Sequence, residues 1–238
     1  MSGPNEGNNL GPFLYTLSGT IGSTYAAVER GIPGIAFSAG NTTHRSYTAV
    51  GNNTNDVAVL NAAAAVKVVS QLAKTSGRLL PVGYGLNVNL PIMNTSCSSP
   101  AYYQTRLTGG AVVDKAVFNA TTRTFTFGSD IDPAINTCIN GDCSLPGETN
   151  IVLGCSVAVS VFTTDYDAPT CNNINVRTGL LPLVQYFNST SNGTSTSGGN
   201  ATTTKTPTPQ VTTNAAPKMS IGSLAGLVGL AAGVLAFA

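Results

Sequence analysis

Tryptophan is absent from this chain, histidine occurs once, and charged side chains make up only 9% of its 238 residues. Lys and Arg offset Asp and Glu to a net charge of +1. Nothing in that balance argues for a nucleic-acid polymer or an anionic membrane surface as partner. The single His44 would have to serve any Ser-His-Asp triad, yet no nucleophile elbow surrounds it, so it reads as a solvated loop residue. No two Asp residues are adjacent anywhere in the chain. None of the five cysteines lies in a Cys-x-x-Cys pair, which argues against a structural zinc site. Met1–Phe13 has neither the basic nor the apolar region of a signal peptide.

What the chain does have is Asn, Thr, Ser and Gly in abundance, in the manner of an extracellular glycoprotein. Asn-x-Ser/Thr triplets occur at Asn41, Asn52, Asn94, Asn119, Asn188, Asn192 and Asn200, and together they favour a secreted, glycosylated product. Cys97, Cys138, Cys143, Cys155 and Cys171 then read as disulfide formers. Cys138–Cys143 could close a small loop, but spacing does not fix pairing, and an odd count leaves a free thiol or an outside partner.

The globular pattern runs over residues 1–187. Turn residues from Ser2 to Gly11 precede the apolar run Phe13-Leu14-Tyr15, and Ser18-Gly19-Thr20 leads into Ile21, Tyr25 and Val28 at helical spacing. This is the pattern of a loop feeding a helix N-terminus, a place suited to an anion such as phosphate and equally to an ordinary N-cap. Gly34–Ser38 reads as a buried parallel strand. Asn55–Ser76 reads as a helix, capped by Thr54 or Asn55, with Asp56 favouring its dipole and Gly77 ending it. Leu86, Val88 and Leu90 alternate with Asn87 and Asn89, a strand with one polar face. From Tyr102 the texture suggests antiparallel strands, with Ala111–Phe118 and Arg123–Phe127 forming a hairpin around Asn119–Thr122. Ile151–Phe162 reads as one long strand, Asp165 and Asp167 as turn caps after it, and Leu180–Phe187 as a last short helix.

The segment SGPNEGNNLG followed by LSGTIGSTYAAVERGIPGIAFS resembles the core of the SurE-like phosphatases, the 5′/3′-nucleotidases, including their secreted fungal-type acid phosphatase branch. The likeness is dense over residues 2–38 and looser to about 187. It implies an α/β fold, a SurE-like three-layer sandwich with an antiparallel, hairpin-rich C-terminal part. It also implies a phosphomonoesterase acting on nucleotides or similar phosphate esters with a divalent cation, Mg or Mn. Asn5 falls on the family's metal-binding Asn, and Ser18, Gly19 and Thr20 fall on its phosphate-contacting triplet. The hairpin falls on an arm that supports homo-oligomers. The family's Asn-Asp-Asp-Gly strand, whose paired Asp residues hold the metal, has no counterpart here. The expectation is therefore a C-terminal portion of a longer secreted protein, inactive in this form. The alternative is a non-catalytic surface glycoprotein that keeps the fold.

After Phe187 the globular pattern stops. Residues 188–213 are almost wholly Ser, Thr, Gly, Asn and Pro, the composition of a glycosylated stalk. Asn214-Ala215-Ala216, a short spacer and the uncharged apolar Ile221–Ala238 then follow the order of a glycosylphosphatidylinositol attachment signal over residues 214–238, with Asn214 as the attachment residue. A C-terminal membrane helix is the competing reading, disfavoured by the many Gly and Ala residues and by the lack of a basic stop. The implied location is the cell surface.

Overall fold

Ser2–Glu6, read above as part of a turn, is a strand (β1). It pairs in parallel with β2 (Gly34–Ala39), and a register shift between Ser2 and Asn5 makes room for Gly3. Gly3 has φ +88°, and a Cβ there would lie 2.0 Å from the Phe37 carbonyl oxygen, so no other residue fits. A turn-like composition thus conceals an irregular edge strand. These features belong to a computed structural model that describes residues 1–12, 17–40, 45–50, 53–109, 112–131, 138–169 and 174–186. All of them lie in one unit, Met1–Gly193.

Between β1 and β2 runs α1 (Gly19–Glu29), and between β2 and β3 (Gly85–Leu90) runs α2 (Val57–Leu72). The α2 helix begins two residues later than expected, because Asp56 takes the N-cap and accepts from the Ala58 amide at 2.9 Å. It ends at Leu72, five residues before Gly77. After β4 (Ala101–Thr105) comes a separate hairpin, β5 (Val112–Asn119) with β6 (Thr124–Ile131), in the expected place. The stretch read as one long strand from Ile151 divides. Glu148–Val152 is a short helix, α3, and the strand β7 spans Ser156–Thr163. A two-residue strand, β8 (Tyr166–Asp167), doubles back on β7. The last helix, α4 (Ile174–Leu180), lies earlier than expected, and the segment assigned to it holds strand β9 (Val184–Gln185).

The main sheet runs β1-β2-β3-β7-β4-β9. The strands β1, β2 and β3 are mutually parallel, and so are β7, β4 and β9; the two sets meet antiparallel at β3–β7. The texture at Tyr102 therefore marks a parallel strand, and among these strands antiparallel pairing belongs to β3–β7, β7–β8 and the hairpin. Three layers result. On one face Ile35, Phe37, Leu86, Val88, Leu90, Val157, Val159 and Val161 pack against Ala64, Val68 and Leu72 of α2 and Leu180 of α4. On the other, Ala36 and Phe162 meet Ile21 and Val28 of α1. The strand β3 is buried at all six positions, so its Asn face does not look into solvent. Disulfides join Cys97 to Cys155 and Cys138 to Cys143. The second is the small loop anticipated, while Cys171 lies outside the described residues.

Candidate functional site

In a crossover layout the N-termini of α1 and α2 and the loops after β1, β2 and β3 all lie at the carboxyl edge of the parallel strands, where open α/β sheets bind their ligands. The register there lines up Asn5 of β1, Ser38 of β2 and Asn89 of β3 as direct neighbours, and one row below, Asn87, Ser160 and Thr105. Side chains alternate across a sheet, so these polar groups form one stripe on the α1 face.

The loop after β1 covers that stripe, and Asn9 is its hub. The Asn9 side-chain amide donates to Asn5 Oδ1 at 2.7 Å and to Ser38 Oγ at 2.6 Å, and Ser38 Oγ itself donates to Asn5 Oδ1 at 2.9 Å. Its backbone N–H donates to Asn89 Oδ1 at 2.8 Å, and its carbonyl accepts from Asn89 and Asn87. The Asn5 amide nitrogen donates to the carbonyls of Glu6 and Gly7. Asn8 donates to the Leu90 carbonyl at 2.8 Å. Beneath the loop lies Glu148 of α3, fully buried. One of its oxygens accepts from the Gly11 amide at 3.0 Å and the other from Asn87 at 2.8 Å. Burial pushes its pKa up to about 8, against the opposing hydrogen bonds from Gly11, Ser160 and Asn87 and with a smaller push from the Asp167 charge. The carboxyl is thus mostly neutral at pH 7.

Six of the expected site residues, Asn5, Ser18, Gly19, Thr20, Asn94 and Asn119, fall among the described residues. Ser18 caps α1, its hydroxyl accepting from Thr20 at 3.2 Å and Ile21 at 3.4 Å. Gly19 is exposed, with open space where a Cβ would stand. The Thr20 carbonyl accepts from Ser23 and Thr24. The cavity that Asn5 lines is not lined by Ser18, Gly19 or Thr20; it opens instead toward α2. Asn94 and Asn119 are exposed, each with its side-chain oxygen accepting backbone amides of the following turn. Asn41, Asn52, Asn188, Asn192, Asn200, Asn214 and His44 lie outside the described residues. Asp167, read as a turn cap, is buried and accepts from the Leu107 amide at 2.6 Å and from Thr108, fixing the turn after β4. The roles of Asn9, Ser38 and Glu148 were not anticipated. The i, i+4 spacing of Asn5 and Asn9 beside the alternating Asn87 and Asn89 was the available signal.

A hard divalent cation takes several oxygen ligands, carboxylates prominent among them. Asn5 Oδ1 already accepts two hydrogen bonds, and its neighbours Asn9 and Ser38 are neutral. Of the buried carboxyls, Glu148 faces Gly11 and Asn87, and Asp167 faces the turn after β4. Among the described residues no three His, Cys, Asp or Glu side chains converge on a point that could hold a metal. The groups present do not fit a resident cation by themselves.

Residues 1–112 match the family described as survival protein SurE. An acid phosphatase of Yarrowia lipolytica (strain CLIB 122 / E 150) is 47% identical over 180 residues, covering 71% of this chain and 50% of that protein. The chain thus spans about half the length of that curated relative. Among solved structures, a SurE protein from Aquifex aeolicus aligns at a TM-score of 0.46 and 21% identity, over 73% of this chain and 61% of that one.

Proposed function

With residues 1–112 matching the SurE family, we propose that the chain serves the hydrolysis of phosphate monoesters, nucleotides or similar esters, at the carboxyl edge of β1–β3. The observation that carries this reading is the 47% identity to an acid phosphatase, joined to the placement of the opening loop at that edge. In this reading the N-terminus of α1 beside the exposed Gly19 receives the phosphate, where the helix dipole favours an anion once the Ser18 hydroxyl gives up the Thr20 and Ile21 amides it now accepts from. Asn9, Asn89 and Glu148 hold the loop rigid beneath. A divalent cation, Mg or Mn, would find at most one neutral oxygen, that of Asn5, in this cluster, and no step is assigned to it. Turnover by the chain as it stands is therefore expected to be low.

The test is phosphate release from p-nitrophenyl phosphate and from 5′-nucleotides, with Mg or Mn and with chelator. It is run on this chain and on a version lengthened at its start by an Asn-Asp-Asp-Gly strand. Metal-dependent release by the lengthened form, lost in Asn5→Ala, supports the proposal. Silence in both forms overturns it and favours a surface glycoprotein without turnover. That second reading draws on the exposed turn positions of Asn94 and Asn119 and on the two disulfides, which suit a secreted, glycosylated and lipid-anchored product. The exposed Phe118–Phe125 pair of the hairpin, with ring centroids 5.1 Å apart, is the surface we propose for self-association. Among the described residues no helix is long and apolar enough to cross a membrane.

A further inference from the structure

Residues 7–11, the loop after β1, are fastened to α3 at a seam that stands apart from the main core. Leu10 and Val152 meet there with Ala158 of β7 in a small apolar cluster of their own. The packing is loose: a cavity of about 290 Å³ opens between Asn8 and Leu10 on one side and Val152 and Leu153 on the other. Helix α3 has only five residues, its N-cap is Gly147 with no side chain to cap it, and Leu153 just beyond its end is 71% exposed. Contacts so few and so local can part while the main sheet stays folded.

Glu148 closes that seam from within. Its carboxyl meets three neutral groups: the Gly11 amide of the loop at 3.0 Å, the Asn87 side-chain amide of β3 at 2.8 Å, and the Ser160 hydroxyl of β7. Ser160 in turn shares a hydrogen bond of 2.7 Å with Thr105 of β4. Of the charged groups nearby, Asp167 of β8 adds a like charge, and the Arg106 guanidinium, next after β4, donates to the carbonyls of Cys143 and Leu145. The Asn87 side-chain oxygen is buried with no hydrogen-bond partner in the protein. Closed, the seam favours the carboxyl in its neutral form and strands that oxygen; open, water can solvate both. We propose that Glu148 is a proton-operated latch: protonated, it holds residues 7–11 down over the polar stripe of β1–β3, and its ionisation parts the seam and uncovers that stripe. The closed form keeps the proton up to about pH 8, whereas a solvated carboxyl releases it near the ordinary 4.5, so opening grows as pH rises between the two. The latch is independent of what the chain hydrolyses.

Amide hydrogen exchange of the purified chain, followed by NMR between about pH 5.5 and pH 7.5 and corrected for the intrinsic rate, tests this. The Gly11 amide should be less protected than that of Val88 in the middle of β3, and its protection should fall about fivefold or more per pH unit. In Glu148→Gln, which has no proton to lose, the fall should shrink to less than about twofold per unit. Should that variant fail to fold, the carboxyl carbon shift of Glu148 in the unaltered protein assigns the proton instead. Titration of that carbon near pH 8 supports the latch, and titration in the ordinary carboxylate range overturns it. Gly11 protection that ignores pH also overturns it, as does a slope that survives in Glu148→Gln. So does Gly11 protection equal to that of Val88 throughout, because the loop then opens only with the whole fold.

Discussion

At the scale of single residues, Glu148 ties the most together, since it joins α3, the β1 loop and β3 through one carboxyl. Its pKa is raised in the folded protein, to about 8, above the ordinary carboxylate value of 4.5. The folded state therefore binds a proton that the unfolded chain has released between those two values. The stability from this group is complete below about pH 4.5 and is lost as pH rises through about 8. The slope approaches about 1.4 kcal/mol per pH unit within the window. Thermal melts from pH 5 to pH 8 should show a falling midpoint. Glu148→Gln, which keeps the shape and one donor of the protonated acid, should flatten that dependence. Asn9→Ala removes both donors to Asn5 and Ser38 and should cost about 1–3 kcal/mol in urea unfolding, with a local loss of amide protection at Gly7–Gly11.

Elements were legible from the sequence to the extent that their signals are local. The helix α2 announced itself through apolar periodicity and an acidic start, and the hairpin β5–β6 through its turn. Misreadings arose where two periods overlap or where a partner is distant. Ile151, Leu153 and Cys155 continue the alternation of Val157, Val159 and Val161 in phase, so a period of two runs through the five-residue α3 unbroken. Asn87 and Asn89 stand where a solvent-facing row would, because nothing in β3 announces that Asn9 and Glu148 arrive from elsewhere in the chain to cover them. The same distance hid the site: Asn5 was identified by motif, whereas the hydrogen bonds that occupy it come from Asn9 and Ser38. Two expectations belong to this scale. Phe125, 68% exposed on the hairpin, should tolerate Ser within about 0.5 kcal/mol. The same variant should lower the mass seen by analytical ultracentrifugation if the hairpin seats a second copy. Replacing Cys97 and Cys155 by Ser opens a loop of 58 residues, worth about 4 kcal/mol by chain entropy, and a lowered melting midpoint under non-reducing conditions checks it.

For the whole molecule, the deciding feature is the seat of β7. It lies between β3 and β4, although its residues come more than fifty positions after theirs. The pairings of β7 with β3 and with β4 can form only after Ser156–Thr163 has been synthesised. Only then can the two halves knit together. Pairings between such remote segments are slow to form, and the waiting strand edges are sticky in the interval.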